Sequence, residues 1–451
     1  MRSPMHPASY RDERLPRYTS YPTAPHFDAA IGPEDYGRWL AQLPGGLDAS
    51  LYVHVPFCRS MCWYCGCHTT VALRDGPIAD YLDALHDEID LVAERAGRRL
   101  PVRHLHFGGG TPTILCPEQF TALMGRLRRA FDFAADAEIA IEIDPRRVDP
   151  AMITALADNG VNRASLGVQS FDPLVQKAIN RVQSVEQTAG VVAGLRQAGI
   201  ASMSLDLIYG LPLQTVASCL DTVEQSLALS PDRISVFGYA HVPGFKKHQR
   251  RINEAQLPDG AARQEQAEAI AGRLVAAGYR RIGFDHFALP GDAMTRALDE
   301  NRLHRNFQGY TTDACEVLIG LGASAIGRLP QGYVQNDTVL ARYAQALAQR
   351  RPATAKGYRL SADDRLRAEV IERLMCDLDV DIGAICARHG APRGRLDDSL
   401  LKLAPLAAEG LVTLQGSRIR LHDETRLMAR KIASAFDSHL DQAARRFSPA
   451  V

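Results

Sequence analysis

Between residues 51 and about 285, short β-rich runs alternate with amphipathic stretches, and this alternation constrains the fold more than any other feature of the chain. The runs are LYVHV (51–55), RHLHF (103–107), EIAIEI (138–143), RASLGV (163–168), SLDLIY (204–209), RISVFGY (233–239) and RRIGF (280–284). Between them, stretches such as 79–96, 117–131, 185–199 and 262–278 repeat apolar residues at three- and four-residue spacing, the pattern of helices with one buried face. Strands joined by crossover helices run parallel. The expected class is therefore α/β, with an incomplete (β/α)6-type barrel at its centre. Six or seven units fall short of the eight that close a barrel, which leaves a mouth wide enough for a bulky substrate.

The flanks read differently. Residues 1–50 hold RYTSYPTAPHF and little periodicity, and are expected to form an irregular N-terminal arm. The barrel is assigned 51–285, a connecting segment with substrate-side loops 286–359, and a mostly helical, winged-helix-like C-terminal domain 360–451. The last assignment rests on helical stretches that precede LVTLQGSRIRL, a hairpin turning at Gln415–Gly416–Ser417. Such a domain binds DNA in some proteins and packs as a lid in others. Lys plus Arg and Asp plus Glu both number 52, so the basic excess that marks nucleic-acid or anionic-membrane binding is missing. No apolar run reaches the length of a membrane span, and the N-terminus lacks the apolar core of a signal peptide. A cytoplasmic protein without nucleic-acid or membrane partners is expected.

VPFCRSMCWYCGCHT directly follows the first predicted strand, at the end where parallel α/β folds carry their chemistry. Four of the nine cysteines fall between 58 and 67, and such clustering in a cytosolic chain points to metal rather than disulfides. Cys58, Cys62 and Cys65 are spaced Cys-x-x-x-Cys-x-x-Cys, with Cys67 two further on. Thiolates select iron–sulfur or zinc. A zinc knuckle would need Cys67 or His68 as fourth ligand, and structural zinc sites usually draw ligand pairs from two separated segments. One short loop suits a cubane, and three thiolates for four irons leave one iron open. That iron can chelate the amino and carboxylate groups of a methionine moiety.

Other residues admit two readings each. The glycines of HLHFGGGTPT (104–113) suit a tight turn or a close, bonded approach of backbone to a ligand. Alternation in EIAIEI sets Glu138, Ala140 and Glu142 on one face, compatible with a solvated edge or a ligand contact. The same choice holds for Gln169, for Asp206, and for Arg181 in the helical stretch after the fourth run. Tyr52, in the first strand, reads by its residue type and place as core rather than ligand.

The cysteine loop, with Tyr64 just before the third cysteine, resembles the signature of the radical S-adenosylmethionine superfamily. Nearly the whole chain is similar to the oxygen-independent coproporphyrinogen III oxidases (coproporphyrinogen dehydrogenases) of haem biosynthesis, through PRYTSYPTA, SLYVHVPFC, LHFGGGTPT, IEIDPR, SLGVQSFD, LDLIYGLP, DRISVFGYAH, GFDHFA and LHRNFQGYTT. The resemblance implies a [4Fe–4S] cluster on Cys58, Cys62 and Cys65, with no metal role for Cys67. It implies Tyr64 near cluster and adenine, and S-adenosyl-L-methionine contacts from Tyr52, Gly109, Gly110, Thr111, Glu142, Gln169, Arg181, Asp206, Ala240 and Ile326, divided between two cofactor molecules. Tyr52, Arg181 and Asp206 are the expected catalytic residues.

The implied reaction is oxidative decarboxylation of two propionates of coproporphyrinogen III to vinyl groups, giving protoporphyrinogen IX, by a 5′-deoxyadenosyl radical. A monomer is implied, served by an electron donor such as a flavodoxin or ferredoxin and by an electron acceptor. Arg17 and His304–Arg305 are candidate clamps for substrate carboxylates, and His286 is a core histidine or a site residue. HVPGFKKHQ, after YAH, is a looser match. A related haem chaperone lacks the RYTSYPT arm, the HRNFQGYTT segment and the cysteine matching Cys67, all present here. A porphyrin-directed radical methyltransferase shares the cluster, and a zinc-dependent DNA-binding regulator conflicts with the zero net charge.

Overall fold

The computed structural model describes residues 13–440, so the outer ends of the expected arm (1–12) and C-terminal domain (441–451) lie outside the described residues. Among its described residues the arm carries a single 3-10 turn (Ala24–His26) and one α-helix, α1 (Pro33–Ala41). The body follows as β1 (Ala49–Val55), α2 (Gly76–Ala96), β2 (Pro101–Gly109), α3 (Pro117–Ala130), β3 (Asp132–Ile143), α4 (Pro150–Asp158), β4 (Arg163–Gln169), α5 (Val185–Gln197), β5 (Ser202–Tyr209), α6 (Val216–Ala228), β6 (Arg233–Gly238) and α7 (Gly260–Ala276). Polar side chains start several of these helices: Asp149, Ser184, Thr215 and Asp259 each accept a backbone N–H three residues on, satisfying a donor that the first turn leaves free.

Strands β1 to β6 pair in parallel, in sequence order. The RRIGF run does not add a seventh parallel unit. It forms a short edge strand, β7 (Arg280–Ile282), antiparallel to β8 (His286–Ala288), which pairs antiparallel with β6. Only residues 283–285 separate β7 from β8, too few for a crossover helix, so the two reverse as a hairpin. The expected connecting segment, 286–359, contributes five strands of the same sheet: β8, β9 (Val317–Leu321), β10 (Ile326–Leu329), β11 (Gly332–Asn336) and β12 (Thr354–Arg359). Strand β9 is parallel to β1, and β10 to β12 continue antiparallel. One twelve-stranded sheet results.

Period-two alternation sorts its faces. Ile139, Ile141, Leu166, Leu205 and Ile234 are buried in the core shared with helix residues such as Leu85, Phe120, Leu195 and Val223. Their neighbours Glu138, Glu142, Ser165, Asp206 and Ser235 line cavities on the other face. Helix α8 (Leu340–Ala348) joins β11 to β12 and packs on α2. The C-terminal part begins with α9 (Ala362–Asp377) and contains a three-stranded antiparallel sheet of β13 (Asp379–Asp381), β14 (Val412–Gln415) and β15 (Arg418–Leu421), ordered β13-β15-β14, followed by a short helix over Ala429–Ser434. Arm residues Tyr18 and Tyr21 are buried in its core with Val370, Leu374 and Ile419.

Glu88 of α2 is buried where α2, α8 and the end of β9 meet. It accepts hydrogen bonds from the Gly322 N–H (2.6 Å), Asn336 Nδ2 (2.6 Å) and Tyr343 Oη (2.7 Å). Burial outweighs these donors and raises its carboxyl from 4.5 to about 7. Below pH 4.5 both folded and unfolded chains hold the proton. As pH climbs through about 7, the unfolded chain has already released it and the folded chain must ionise a buried group, so stability falls. Glu88→Gln is therefore expected to flatten the loss of stability between pH 5 and pH 8 by up to roughly 3 kcal/mol. Urea melts of wild type and variant across that range test this; parallel pH profiles would refute it.

Candidate active site

The cysteine loop leaves β1 and is closed by the short parallel pair Phe57–Cys58 and Thr70–Val71. Cys58, Cys62 and Cys65 border one cavity of about 540 Å³. Their sulfurs are met by donors: the Thr69 and Thr111 hydroxyls lie 3.4 Å from Cys58 Sγ, and Arg146 Nη2 and Arg181 Nη1 lie 3.5 and 3.7 Å from Cys62 Sγ. A hydrogen bond from Cys67 draws the Cys65 thiol down to about 7 against burial, with Lys246 and Arg181 adding to the shift. Burial raises the Cys58 thiol against the Thr111 and Thr69 hydroxyls, so it is at Cys65 that the surroundings favour the thiolate, the form that ligates metal. His68 Nε2 bonds the Thr338 carbonyl at 2.7 Å, so this ring is already engaged elsewhere. Among the described residues no three His, Cys, Asp or Glu side chains form a cage for a single ion. Three thiols from one short loop, bordering a common cavity, fit a larger group held by three thiolates.

The glycine run follows β2. A Cβ on Gly110 would lie 2.5 Å from the Phe57 carbonyl, and Gly109 has φ +113 with a Cβ position 2.6 Å from the His54 ring. Only glycine fits either place. Their amides are not free for a ligand, however. Gly110 N–H donates to the Val55 carbonyl and Thr111 N–H to the Phe57 carbonyl, both at 2.8 Å, while Gly109 N–H donates to Glu142 Oε2 at 3.2 Å. The run brings its backbone against the cysteine loop, with Gly109, Gly110 and Thr111 on the cavity wall.

Glu142 also faces His106 Nε2 at 3.3 Å. Burial opposes ionisation, but His106 and the Gly109 N–H hold this carboxyl below its usual range. Burial, then the nearby Glu142 charge, raises that of Asp206, which accepts the Ser165 hydroxyl at 3.0 Å. Arg181 is not helical. Asn180, at φ +55, ends the preceding short helix, and Arg181 N–H closes back on the Gln176 carbonyl at 2.9 Å, a left-handed cap. Its buried guanidinium then spans Cys62 Sγ, Asp144 Oδ1 (3.4 Å) and the Gly167 carbonyl (2.5 Å). Burial opposes its charge, yet Tyr64, Asp144 and Cys62 raise its pKa.

Tyr64, Gly109, Gly110, Thr111, Glu142, Gln169, Arg181, Asp206 and Ala240 all line the cavity of the cysteines. Tyr52 and Ile326 do not; they line a second cavity of about 620 Å³. The two share Gly66, Cys67, Gly109, Glu142, Ser165, Asp206 and Phe237 as common wall. Tyr52 Oη lies 3.0 Å from His54 Nδ1, and burial lowers that imidazole to about 4, so it is neutral. Gln169 holds φ +69 at the end of β4, turning its side chain inward.

Of the carboxylate-clamp candidates, Arg17 lines the first cavity and donates to the Gly238 carbonyl at 2.9 Å. His304 pairs with Glu372 (3.2 Å), and Arg305 lies between the Phe284 and Tyr310 rings near Asp285. Neither borders either cavity. His286 does border the second, with Nδ1 2.7 Å from Asp285. Sequence reasoning overlooked Arg163 and Arg233 in the second cavity, held at 3.0 Å by Glu138 and 2.8 Å by Asp292; their inward phase on β4 and β6 was the available signal. The segment HVPGFKKHQ, singled out in the sequence only as a looser match, packs on the cysteine loop. Fully buried Gln249 donates to the Tyr64 and Ala240 carbonyls, His248 Nε2 lies 2.7 Å from the Cys65 carbonyl, and Lys246 donates to that of Cys67. This loop clamps the cysteine loop from the far side. No residue type or spacing announced it.

A parallel sheet whose strand ends surround three loop thiolates and a glycine run defines the radical S-adenosylmethionine class, and the Radical SAM superfamily pattern matches residues 52–225. The HemN C-terminal domain pattern matches residues 360–428. The chain is 61% identical to the oxygen-independent coproporphyrinogen III oxidase of Bradyrhizobium diazoefficiens, over 98% of both chains, and 43% identical to that of Paracoccus denitrificans, over 98% and 97%. The solved structure of coproporphyrinogen III oxidase (HemN) from Escherichia coli, a radical SAM enzyme, superposes with a TM-score of 0.90 at 40% identity, covering 94% of this chain and 98% of that one. The chain belongs to the oxygen-independent coproporphyrinogen III oxidase family. Among the described residues, no helix is long and apolar enough to cross a membrane.

Proposed function

We infer that this chain catalyses oxidative decarboxylation of two propionate side chains of coproporphyrinogen III to vinyl groups, yielding protoporphyrinogen IX for haem biosynthesis. Full-length likeness to enzymes of that name carries the inference; it also separates the chain from haem chaperones and radical methyltransferases. Cys58, Cys62 and Cys65 would hold a [4Fe–4S] cluster, which with S-adenosylmethionine would supply radical abstraction of a substrate hydrogen atom. The protein's own part is positional and electrostatic. Arg181 and Arg146 offset thiolate charge at Cys62. Glu142 and Asp206 offer carboxylates to cofactor hydroxyl or ammonium groups. The walls of the cavities keep water from the reacting atoms.

Two S-adenosylmethionine molecules suit two connected cavities of about 540 and 620 Å³. The first takes the cluster-bound molecule, through Tyr64, Gly110, Thr111, Gln169, Arg181, Asp206 and Ala240. The second takes the other, through Tyr52, Gly109, Glu142 and Ile326. Tyr52, Arg181 and Asp206 are assigned catalytic roles on the strength of their places along these cavities. Six parallel strands with crossover helices support the incomplete-barrel reading, and α9 with the β14–β15 hairpin supports the winged-helix one. A cytoplasmic monomer, reduced by a flavodoxin- or ferredoxin-like donor and passing the electron left after each loss of carbon dioxide to a separate electron acceptor, completes the proposal.

Anaerobic reconstitution with iron and sulfide, followed by coproporphyrinogen III, S-adenosylmethionine and a reductant, tests the reaction. Carbon dioxide and 5′-deoxyadenosine should form well above a Cys62→Ala control, and their absence would overturn it. Equilibrium dialysis should find two S-adenosylmethionine molecules per wild-type chain and one for Ile326→Arg. One per wild-type chain would remove the second site.

A further inference from the structure

A third cavity, of about 720 Å³, lies between the arm, strand β10, the 304–307 segment and helix α9. Asn306, Phe307 and Leu318 line both it and the second cavity, so the two adjoin across that wall. Its lining combines aromatic surface with cations. Phe307 meets Tyr333 edge-on, with ring centroids 6.3 Å apart. Most of the charged lining is internally matched: His304 faces Glu372, Arg388 faces Glu369, and Arg373 donates to Asp377. Two guanidiniums stand apart. Arg328, on β10, and Arg365, on α9, are exposed and have no ion pair among the described residues; Arg365 makes only a long bond to the Leu360 carbonyl, at 3.4 Å. Exposed Glu316 is the acid that lines the same cleft without such a pair.

Aromatic walls beside two unpaired guanidiniums fit a flat apolar ligand that carries carboxylates. Resting on the function inferred above, we propose that this cleft binds the tetrapyrrole edge bearing the two propionates that are not decarboxylated, with Arg328 and Arg365 as their cationic partners. The reacting edge must face the cysteine-lined cavity, where hydrogen abstraction occurs. The opposite edge then needs an anchoring site outside it; the cleft adjoins the second cavity at Asn306, Phe307 and Leu318, so the ring would lie along that end and leave the Tyr52, Gly109 and Glu142 end to the second cofactor. An arginine from the sheet and one from the C-terminal part would meet the same ligand, giving that part a role in substrate binding.

The test is fluorescence titration of the reconstituted, anaerobic holoenzyme with coproporphyrin III, protoporphyrin IX and coproporphyrin III tetramethyl ester. These are oxidised, stable probes of the ring with four, two and no free carboxylates. Arg328→Ala combined with Arg365→Ala should weaken binding of both acids about 10-fold and raise KM for coproporphyrinogen III similarly. Ester binding should not change, and the double lysine variant should recover part of the loss. Both side chains are exposed, and the cluster's visible absorption checks that the variants are loaded. Unchanged affinity and KM in the alanine pair, equal loss for the ester, or no binding of coproporphyrin III to wild type would overturn the proposal. A wild-type enzyme that binds the acids but forms no protoporphyrinogen would instead overturn the inferred function and leave the cleft standing.

Discussion

Cys62→Ala is expected to lower 5′-deoxyadenosine and protoporphyrinogen formation by at least roughly 1,000-fold, to background. Three thiolates are the minimum that holds a cubane while keeping one iron open, and Cys62 is the buried member of the three. Its sulfur is also the one approached by two guanidiniums, Arg146 and Arg181. Removal therefore takes away a ligand and leaves two cations facing each other across the gap, with Asp144 alone to offset them. Iron and sulfide per chain should fall with activity. Cys67→Ser is the informative partner: Cys67 is exposed and carries no assigned metal role, so this variant should keep its iron. Retention of full cluster content by Cys62→Ala, or its loss in Cys67→Ser, would require a different ligand set.

Arg181→Leu carries the second large effect, on activity and stability together. The guanidinium is buried and bonded to Cys62 Sγ, Asp144 and the Gly167 carbonyl. Truncation leaves Asp144 with Arg146 as its remaining partner and the Gly167 carbonyl without its guanidinium donor, a loss of about 1–3 kcal/mol. Loss of a group bonded to a ligand sulfur should also cut turnover by roughly 10–100-fold. Arg181→Lys keeps the charge but not the fork that reaches three partners, so it should recover stability more than turnover. Denaturant unfolding read beside the reduction potential of the cluster distinguishes the roles. A purely structural arginine would lower stability and leave the potential where it is.

The glycine run shows how far residue type alone carries. That Gly109 and Gly110 mark a close approach was legible, because a Cβ is intolerable wherever backbone meets backbone or a ring. What approaches them is the cysteine loop and His54, which depends on strands some fifty residues apart in sequence coming side by side. In β3, period two alone placed Glu138 and Glu142 on a common face, and that face does line the cavities. Whether it met solvent or a ligand was open until the strands beside it were in place.

The sequence by itself determined the parallel α/β body, the three-thiol loop at the end of its first strand, and the inward phase of the site residues. These follow from short-range rules of helical and strand periodicity, ligand spacing and the steric demands of glycine. Only the tertiary structure decided that 286–359 completes the sheet rather than linking two domains, since its short strands pair with partners far away in sequence. It alone turned Arg305 toward Phe284 and Tyr310, set Gln249 behind the cysteine loop, and divided Tyr52 and Ile326 from the residues around the thiols. Each is a contact between distant segments, and no local pattern encodes which surfaces a long chain brings together.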